Sequence, residues 1–165
     1  MIEYLTDLKE RDLLDVRELL IEYAKWLNLD LSFQGFSEEI NTLPGRYSPP
    51  EGALILARVG EVAAGCVALR RLSPEVCEMK RLFVRSSFQG MGIGKQLVMR
   101  IIEEAIKRGY KFMRLDTLSF MKAARKLYTE MGFYPISPYY DNPLEGAEFM
   151  ELNLENWSKS SPSRE

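Results

Sequence analysis

Phe83-Val84-Arg85-Ser86-Ser87-Phe88-Gln89-Gly90-Met91-Gly92-Ile93-Gly94-Lys95 is the stretch on which the fold turns. It is entered from an apolar run, Val76–Val84, that reads as a strand, and it leaves into a helical pattern. From Gly92 to Arg108 the residues Ile93, Leu97, Ile101, Ile102 and Ala105 fall on one helical face, with Gly109 placed to end it. Glycines between a strand and a helix make an anion site. Bare N–H groups and the positive end of the helix dipole converge there, and the absence of Cβ lets a phosphate approach the backbone. Two better-known phosphate motifs fail. A P-loop needs Gly at 89 and Ser or Thr at 96, where this chain has Gln89 and Gln96. A dinucleotide fingerprint from Gly90 meets Lys95 where Gly is required, and one from Gly92 meets Leu97. On the glycines alone, a ligand-free turn competes with a phosphate site.

Upstream, three strands are expected in an antiparallel run: Ala53–Val59, Val62–Leu72 after the Gly60-Glu61 turn, and Val76–Val84 after Ser73-Pro74-Glu75. Before them come a short strand at Ile2–Leu5 and a long helix capped by Asp7. That helix carries Leu13, Val16, Leu20, Ala24 and Leu27 at three- and four-residue steps. The turn-rich stretch from Asn28 to Gly52 has room for one short helix near Ser37–Leu43. Downstream, Lys111–Thr117 reads as a strand and Met121–Met131 as a helix ended by Gly132. Phe133–Ile136 and Glu148–Leu154 close the fold as strands. Residues 1–155 are expected to form one domain, and 156–165 (NWSKSSPSRE) a disordered tail. The fold class is α+β, a twisted mixed sheet of about six or seven strands flanked by helices.

Composition narrows the chemistry. Length 165, with 46% apolar and 28% charged residues, suits one soluble domain. With 22 Lys and Arg against 24 Asp and Glu, the net charge is −2, which gives no general attraction for nucleic acid. The longest apolar run, Val62–Leu69, is too short to span a membrane, and the charged N-terminus lacks a signal-peptide core. A cytoplasmic location with reduced thiols is expected. Histidine is absent, which excludes Ser-His-Asp and Cys-His catalysis and His-ligated zinc. Two cysteines are too few for a Cys₄ metal site, and no metal is implied. If Ser73-Pro74 centres the hairpin, Cys66 faces the neighbourhood of Arg81 and Cys77 faces Arg70. The pair then stays as two buried thiols.

The Gln89–Gly94 loop resembles the Gln/Arg-x-x-Gly-x-Gly/Ala signature of the GNAT superfamily of N-acetyltransferases. Glu78-Met79-Lys80-Arg81-Leu82-Phe83-Val84 is similar to that family's central strand. Ala124-Arg125-Lys126-Leu127-Tyr128-Thr129-Glu130-Met131-Gly132-Phe133 is similar to its A-x-x-L-Y-x-x-x-G-F helix end, and Glu148-Phe149-Met150-Glu151-Leu152 to its last strand. The likeness runs from about Ala53 to Leu154 in order. It implies a GNAT-like fold and acetyl-CoA as cosubstrate. The backbone of Leu82, Phe83 and Val84 would pair with the pantetheine arm. Gln89, Gly90, Met91, Gly92, Ile93, Gly94 and Lys95 would hold the pyrophosphate. Family members often carry Asn where this chain has Met121, so that contact is missing or moves to Ser119.

The implied reaction is acetyl transfer to a primary amine by direct attack. Such an amine is only about one part in 2,500 neutral at pH 7, a penalty of roughly 4–5 kcal/mol. Without His, a carboxylate is the natural base, and Glu78 stands where many relatives carry theirs. Regular alternation puts Glu78, Lys80, Leu82 and Val84 on one face. A solvent-facing residue or an Arg partner is the plainer reading of Glu78. Tyr128 matches the tyrosine that returns a proton to the CoA thiolate, with a packed aromatic as the plain alternative. A backbone N–H of the central strand, Leu82 first, would meet the oxyanion. Arg46, Tyr47, Tyr139 and Tyr140 are the expected acceptor contacts, because loops on a rigid scaffold often carry specificity. A small-molecule or amino-acid-like amine is expected as the acceptor. A non-catalytic acyl-CoA-binding module and a protein N-terminal or lysine acetyltransferase are the alternatives. An open sheet end near the last strand leaves room for a homodimer.

Overall fold

In the computed structural model, which describes residues 1–31 and 35–157, alternating and continuous apolar runs become seven strands of one sheet. The strands are β1 (Ile2–Leu5), β2 (Ala53–Val59), β3 (Val62–Ser73), β4 (Val76–Val84), β5 (Phe112–Leu118), β6 (Tyr134–Ile136) and β7 (Ala147–Asn153). The helices are α1 (Glu10–Leu27), α2 (Phe36–Asn41), α3 (Ile93–Lys107) and α4 (Lys122–Met131). Expected and observed ends agree within about two residues. The helix cap is the exception. Lys9, not Asp7, precedes α1, and the Asp12 carboxylate accepts the Lys9 backbone N–H at 3.0 Å.

Strand order is β1-β2-β3-β4-β5-β7-β6, antiparallel except for the β4–β5 pair. Both faces of the central strands are apolar because helices cover both. Val16, Leu19 and Leu20 of α1 pack on one face with Leu54, Leu56, Cys66 and Ala68. Ile93, Leu97, Ile101 and Ile102 of α3 pack on the other with Ile55, Val67, Leu69 and Met79. The last strand is not the open edge. Formed on β5, β7 is covered in turn by β6, a three-residue edge carrying Pro135, which cannot donate to a further strand. Trp157, expected in the frayed tail, packs against the main core, and its backbone N–H donates to Leu154 O at 3.3 Å. The rest of that expectation, 158–165, lies outside the described residues.

Alternation along β4 is broken. Lys80 faces Ala68 and Phe83 faces Cys66, so two residues of β4 oppose the single residue Val67. The extra residue is accommodated at Arg81, which sits at φ +62°. As a result Cys77, Met79, Leu82 and Val84 pack on the α3 side and Phe83 on the α1 side. Glu78 and Lys80 therefore do not share a face with Leu82 and Val84, contrary to the expectation from simple pleating. A separate irregularity near the turn, between Arg71 and Ser73, leaves Cys77 facing Arg71 rather than Arg70, and beyond the bulge Cys66 faces Phe83 while its thiol reaches Arg81 O at 3.5 Å. Both thiols are buried and free.

Candidate active site

β4 and β5 pair only over Val76–Glu78 and Phe112–Arg114. β4 then runs on to Val84 and β5 to Leu118, while β5 stays paired with β7 throughout. A bulged strand bends, and this one bends away from its parallel neighbour. The cleft that opens has Met79, Lys80, Arg81 and Leu82 on one wall and Leu115, Asp116, Thr117 and Leu118 on the other. Tyr23 and Leu27 of α1, Leu31, Met121, Tyr128, Asn142 and Leu144 close it. Past Glu78, the edge of β4 turned to β5 has no ladder partner among the described residues.

The glycine loop lies where β4 ends. After a short 3₁₀ turn at Ser86–Phe88, Gly90 and Gly92 adopt φ +85° and +77°, a region that penalises any Cβ. A Cβ built at either glycine would meet nothing within 4 Å, so the space beside both is open. Gly92 caps α3, and the first intrahelical bond reaches it from the Gln96 N–H. The N–H groups of Ile93, Gly94 and Lys95 precede that bond and have no intrahelical acceptor. The Gln89 side chain ties the loop back through Nε2 to Val84 O at 3.4 Å. Anion cradle and unpaired strand edge are thus continuous, which fits the phosphates and amide-bearing arm of a CoA thioester.

Tyr128 projects from α4 to the cleft, buried, with its ring edge-on to Phe133 at 5.8 Å. Burial pushes its phenol up, and the hydroxyl has no hydrogen-bond partner among the described residues. Burial pushes the Cys66 thiol, in the core on the α1 side, up in the same way, to about 12.

Glu78 does not line the cleft. It is fully buried, accepting Arg70 Nε on Oε1 at 2.6 Å and the Tyr139 hydroxyl on Oε2 at 2.5 Å. The plainer sequence reading, an Arg partner, describes its contacts. The carboxylate on the cleft wall is Asp116, which sequence reasoning missed. Its Oδ2 accepts the Tyr140 hydroxyl and, at 3.1 Å, Asn142 Nδ2. Aspartate is unfavourable within a strand, but FMRLDTL also carries Arg114 and Thr117 and reads as an ordinary strand, so its pattern did not single Asp116 out. Lys80, also missed, is buried on the opposite wall. Its ammonium is lowered by desolvation against the opposing pull of Asp116 and Glu78.

The expected acceptor residues divide. Tyr139 and Tyr140 are not on the wall; they pack edge-on against Phe149 and hold Glu78 and Asp116 from behind. Tyr47 is buried against Arg81 and Glu39 without lining the cleft itself, and Arg46 is exposed. Of the expected cofactor contacts, Leu82 lines the cleft. Phe83 packs on Tyr23 at 5.6 Å, and Val84 packs on the α3 side. Ser119 is exposed and does not line the cleft, its N–H bonded to Gly146 O at 2.9 Å, while Met121 does line it. Among the described residues no cluster of three His, Cys, Asp or Glu suits a metal, and no helix is long and apolar enough to cross a membrane.

Known proteins are similar to this chain. Residues 14–133 match the model of the Acetyltransferase (GNAT) family. An uncharacterized N-acetyltransferase of Schizosaccharomyces pombe is 39% identical over 146 residues, covering 87% of this chain and 90% of the relative. One from Dictyostelium discoideum is 35% identical, covering 84% and 93%. Among solved structures, the PaiA N-acetyltransferase of Thermoplasma acidophilum in complex with coenzyme A superposes with a TM-score of 0.72. It is 20% identical and covers 93% of this chain and 99% of its own. Splayed central strands, a glycine loop capping α3 and a tyrosine facing the gap thus occur in a chain that belongs to the GNAT family of N-acetyltransferases.

Proposed function

We propose that the protein transfers the acetyl group of acetyl-CoA to the primary amine of a small, amino-acid-like acceptor by direct attack. The observation that carries this reading is the unpaired β4 edge opening beside the glycine loop. Acetyl-CoA supplies an activated acetyl thioester. The backbone edge of Leu82, Phe83 and Val84 holds its amide-bearing arm as an added strand would. Gln89 to Lys95 hold the pyrophosphate, with Ser119 as a further contact.

Asp116 takes the first proton from the acceptor ammonium, since it is the carboxylate on the cleft wall. Glu78 is a positioning residue: it fixes Tyr139, whose ring packs at 5.6 Å on Tyr140, the phenol that donates to Asp116. The neutral nitrogen forms the C–N bond to the acetyl carbon as the C–S bond breaks. The Leu82 backbone N–H is the donor assigned to the carbonyl oxygen. Tyr128 gives its proton to the departing sulfur and regains the second proton shed by nitrogen. One proton per turnover leaves to solvent.

The test is thiol release from acetyl-CoA, read with a chromogenic disulfide against a panel of amines, amino acids and peptides. Turnover with small amines is expected. Calorimetric CoA binding without turnover on any acceptor would replace the enzyme by an acyl-CoA-binding module. Turnover on peptides alone would replace the small acceptor by a protein terminus or lysine.

A further inference from the structure

Three cations and three carboxylates meet behind and beside the cleft. Arg81 forks onto both oxygens of Glu39 at 2.9 Å, and Arg70 meets Glu78 at 2.6 Å. Lys80 and Asp116 are only 3.7 Å apart, too far for a hydrogen bond. Asp116 is satisfied elsewhere, by Tyr140 and Asn142. The Lys80 side chain is 7% exposed, lines the cleft, and makes no hydrogen bond among the described residues. A buried ammonium with three donors and no acceptor is costly unless a bound group supplies one.

Resting on the acetyl-transfer reading, we propose that the acceptor is a free α-amino acid with an apolar side chain, its carboxylate held by Lys80 and its ammonium by Asp116. The two charges of an α-amino acid sit on one carbon, and a loose ion pair offers the complementary charges at matching separation. Each partner then gains a charge-assisted hydrogen bond that the 3.7 Å gap denies it. Leu27, Leu31, Leu118 and Leu144 supply the apolar wall for the side chain. A peptide terminus or a decarboxylated amine would leave Lys80 unanswered.

Leucine, leucinamide and 3-methylbutylamine share the side chain and differ at the group facing Lys80. We expect kcat/KM for leucine to exceed that for either analogue by about 10- to 100-fold, the size of one hydrogen bond between charged groups. The amide has the less basic amine, so amine reactivity opposes this preference. Lys80→Met should lower kcat/KM for leucine by a similar factor, mainly through KM, and leave leucinamide within about threefold. Lys80→Arg should recover part of the loss. An amide used as well as the acid by the wild-type enzyme overturns the proposal, and that comparison needs no variant. The proposal also fails if Lys80→Met loses equally on both substrates with CoA binding intact. Failure of the underlying reading looks different: no calorimetric CoA binding at all. If CoA binds but no amine turns over, titrating the CoA-saturated protein with leucine and leucinamide decides by binding alone, equal or absent affinities counting against it.

Discussion

The Tyr139 hydroxyl donates to Glu78 Oε2 at 2.5 Å, bridging 61 residues of chain. It fastens the loop between β6 and β7 to the last residue at which β4 still pairs with β5. Glu78 is thereby spent on architecture, and the two carboxylates of the site should respond differently to neutralisation. Asp116→Asn should lower kcat by about 100-fold or more. Glu78→Gln should cost no more than about tenfold in kcat. It should lower stability by about 3 kcal/mol, because Arg70 loses its buried partner. Steady-state kinetics and urea denaturation read the two effects separately. A Glu78→Gln enzyme as slow as Asp116→Asn would return the base role to Glu78.

Tyr128→Phe removes a hydroxyl with no hydrogen-bond partner among the described residues and keeps the ring that packs on Phe133. Maximal rate should fall by about 100-fold or more while CoA affinity, measured by calorimetry, changes less than about twofold. Wild-type turnover in this variant would leave the tyrosine a packing residue only.

Gly92→Val places a branched side chain at φ +77° and in the open space beside the glycine. CoA binding should be lost in calorimetry. Backbone strain should cost about 1–2 kcal/mol, too little to unfold a typical domain. A folded variant that still binds CoA would remove the pyrophosphate from this loop.

Away from the cleft, the Arg58 hydrogen bond holds the Asp12 carboxyl below the usual carboxylate range, helped by the Lys9 backbone N–H. A depressed folded value means that its contribution is fully present above the unfolded value near 3.9 and is lost as pH falls through the folded one. Asp12→Asn should therefore cost about 1–3 kcal/mol at neutral pH. In urea titrations the gap between variant and wild type should close as the pH is lowered to about 2. A gap that stays constant would mean that the ion pair contributes nothing through charge.

Elements whose information is local were legible in the sequence. Period-2 and period-3.6 runs set the strands and helices, and Gly90 and Gly92 marked the loop. Tyr128 drew notice because its helix end carries a recognisable spacing, and the structure places its buried ring on the cleft. Asp116 and Lys80 were hidden for a different reason. Both sit in runs that read as ordinary strand, and only the parting of β4 from β5 brings them to one cavity, a tertiary event no window of sequence contains. Tyr47, Tyr139 and Tyr140 showed the opposite failure. Polar aromatics on connections suggested a pocket lining, but their hydroxyls serve Glu39, Glu78 and Asp116. The sheet end expected near the last strand is β6, the short strand added on β7.

Arg81 gives β4 two phases. Met79 and Leu82, three positions apart, serve the same core, where an uninterrupted strand would use residues two or four apart. Removing Arg81 itself would put Leu82 two positions from Met79, so Leu82 and Val84 would keep the α3 side and Phe83 the α1 side. Packing alone therefore does not require the extra residue. What it adds is a buried guanidinium forked onto Glu39 at the cleft wall, and the bend that parts β4 from β5.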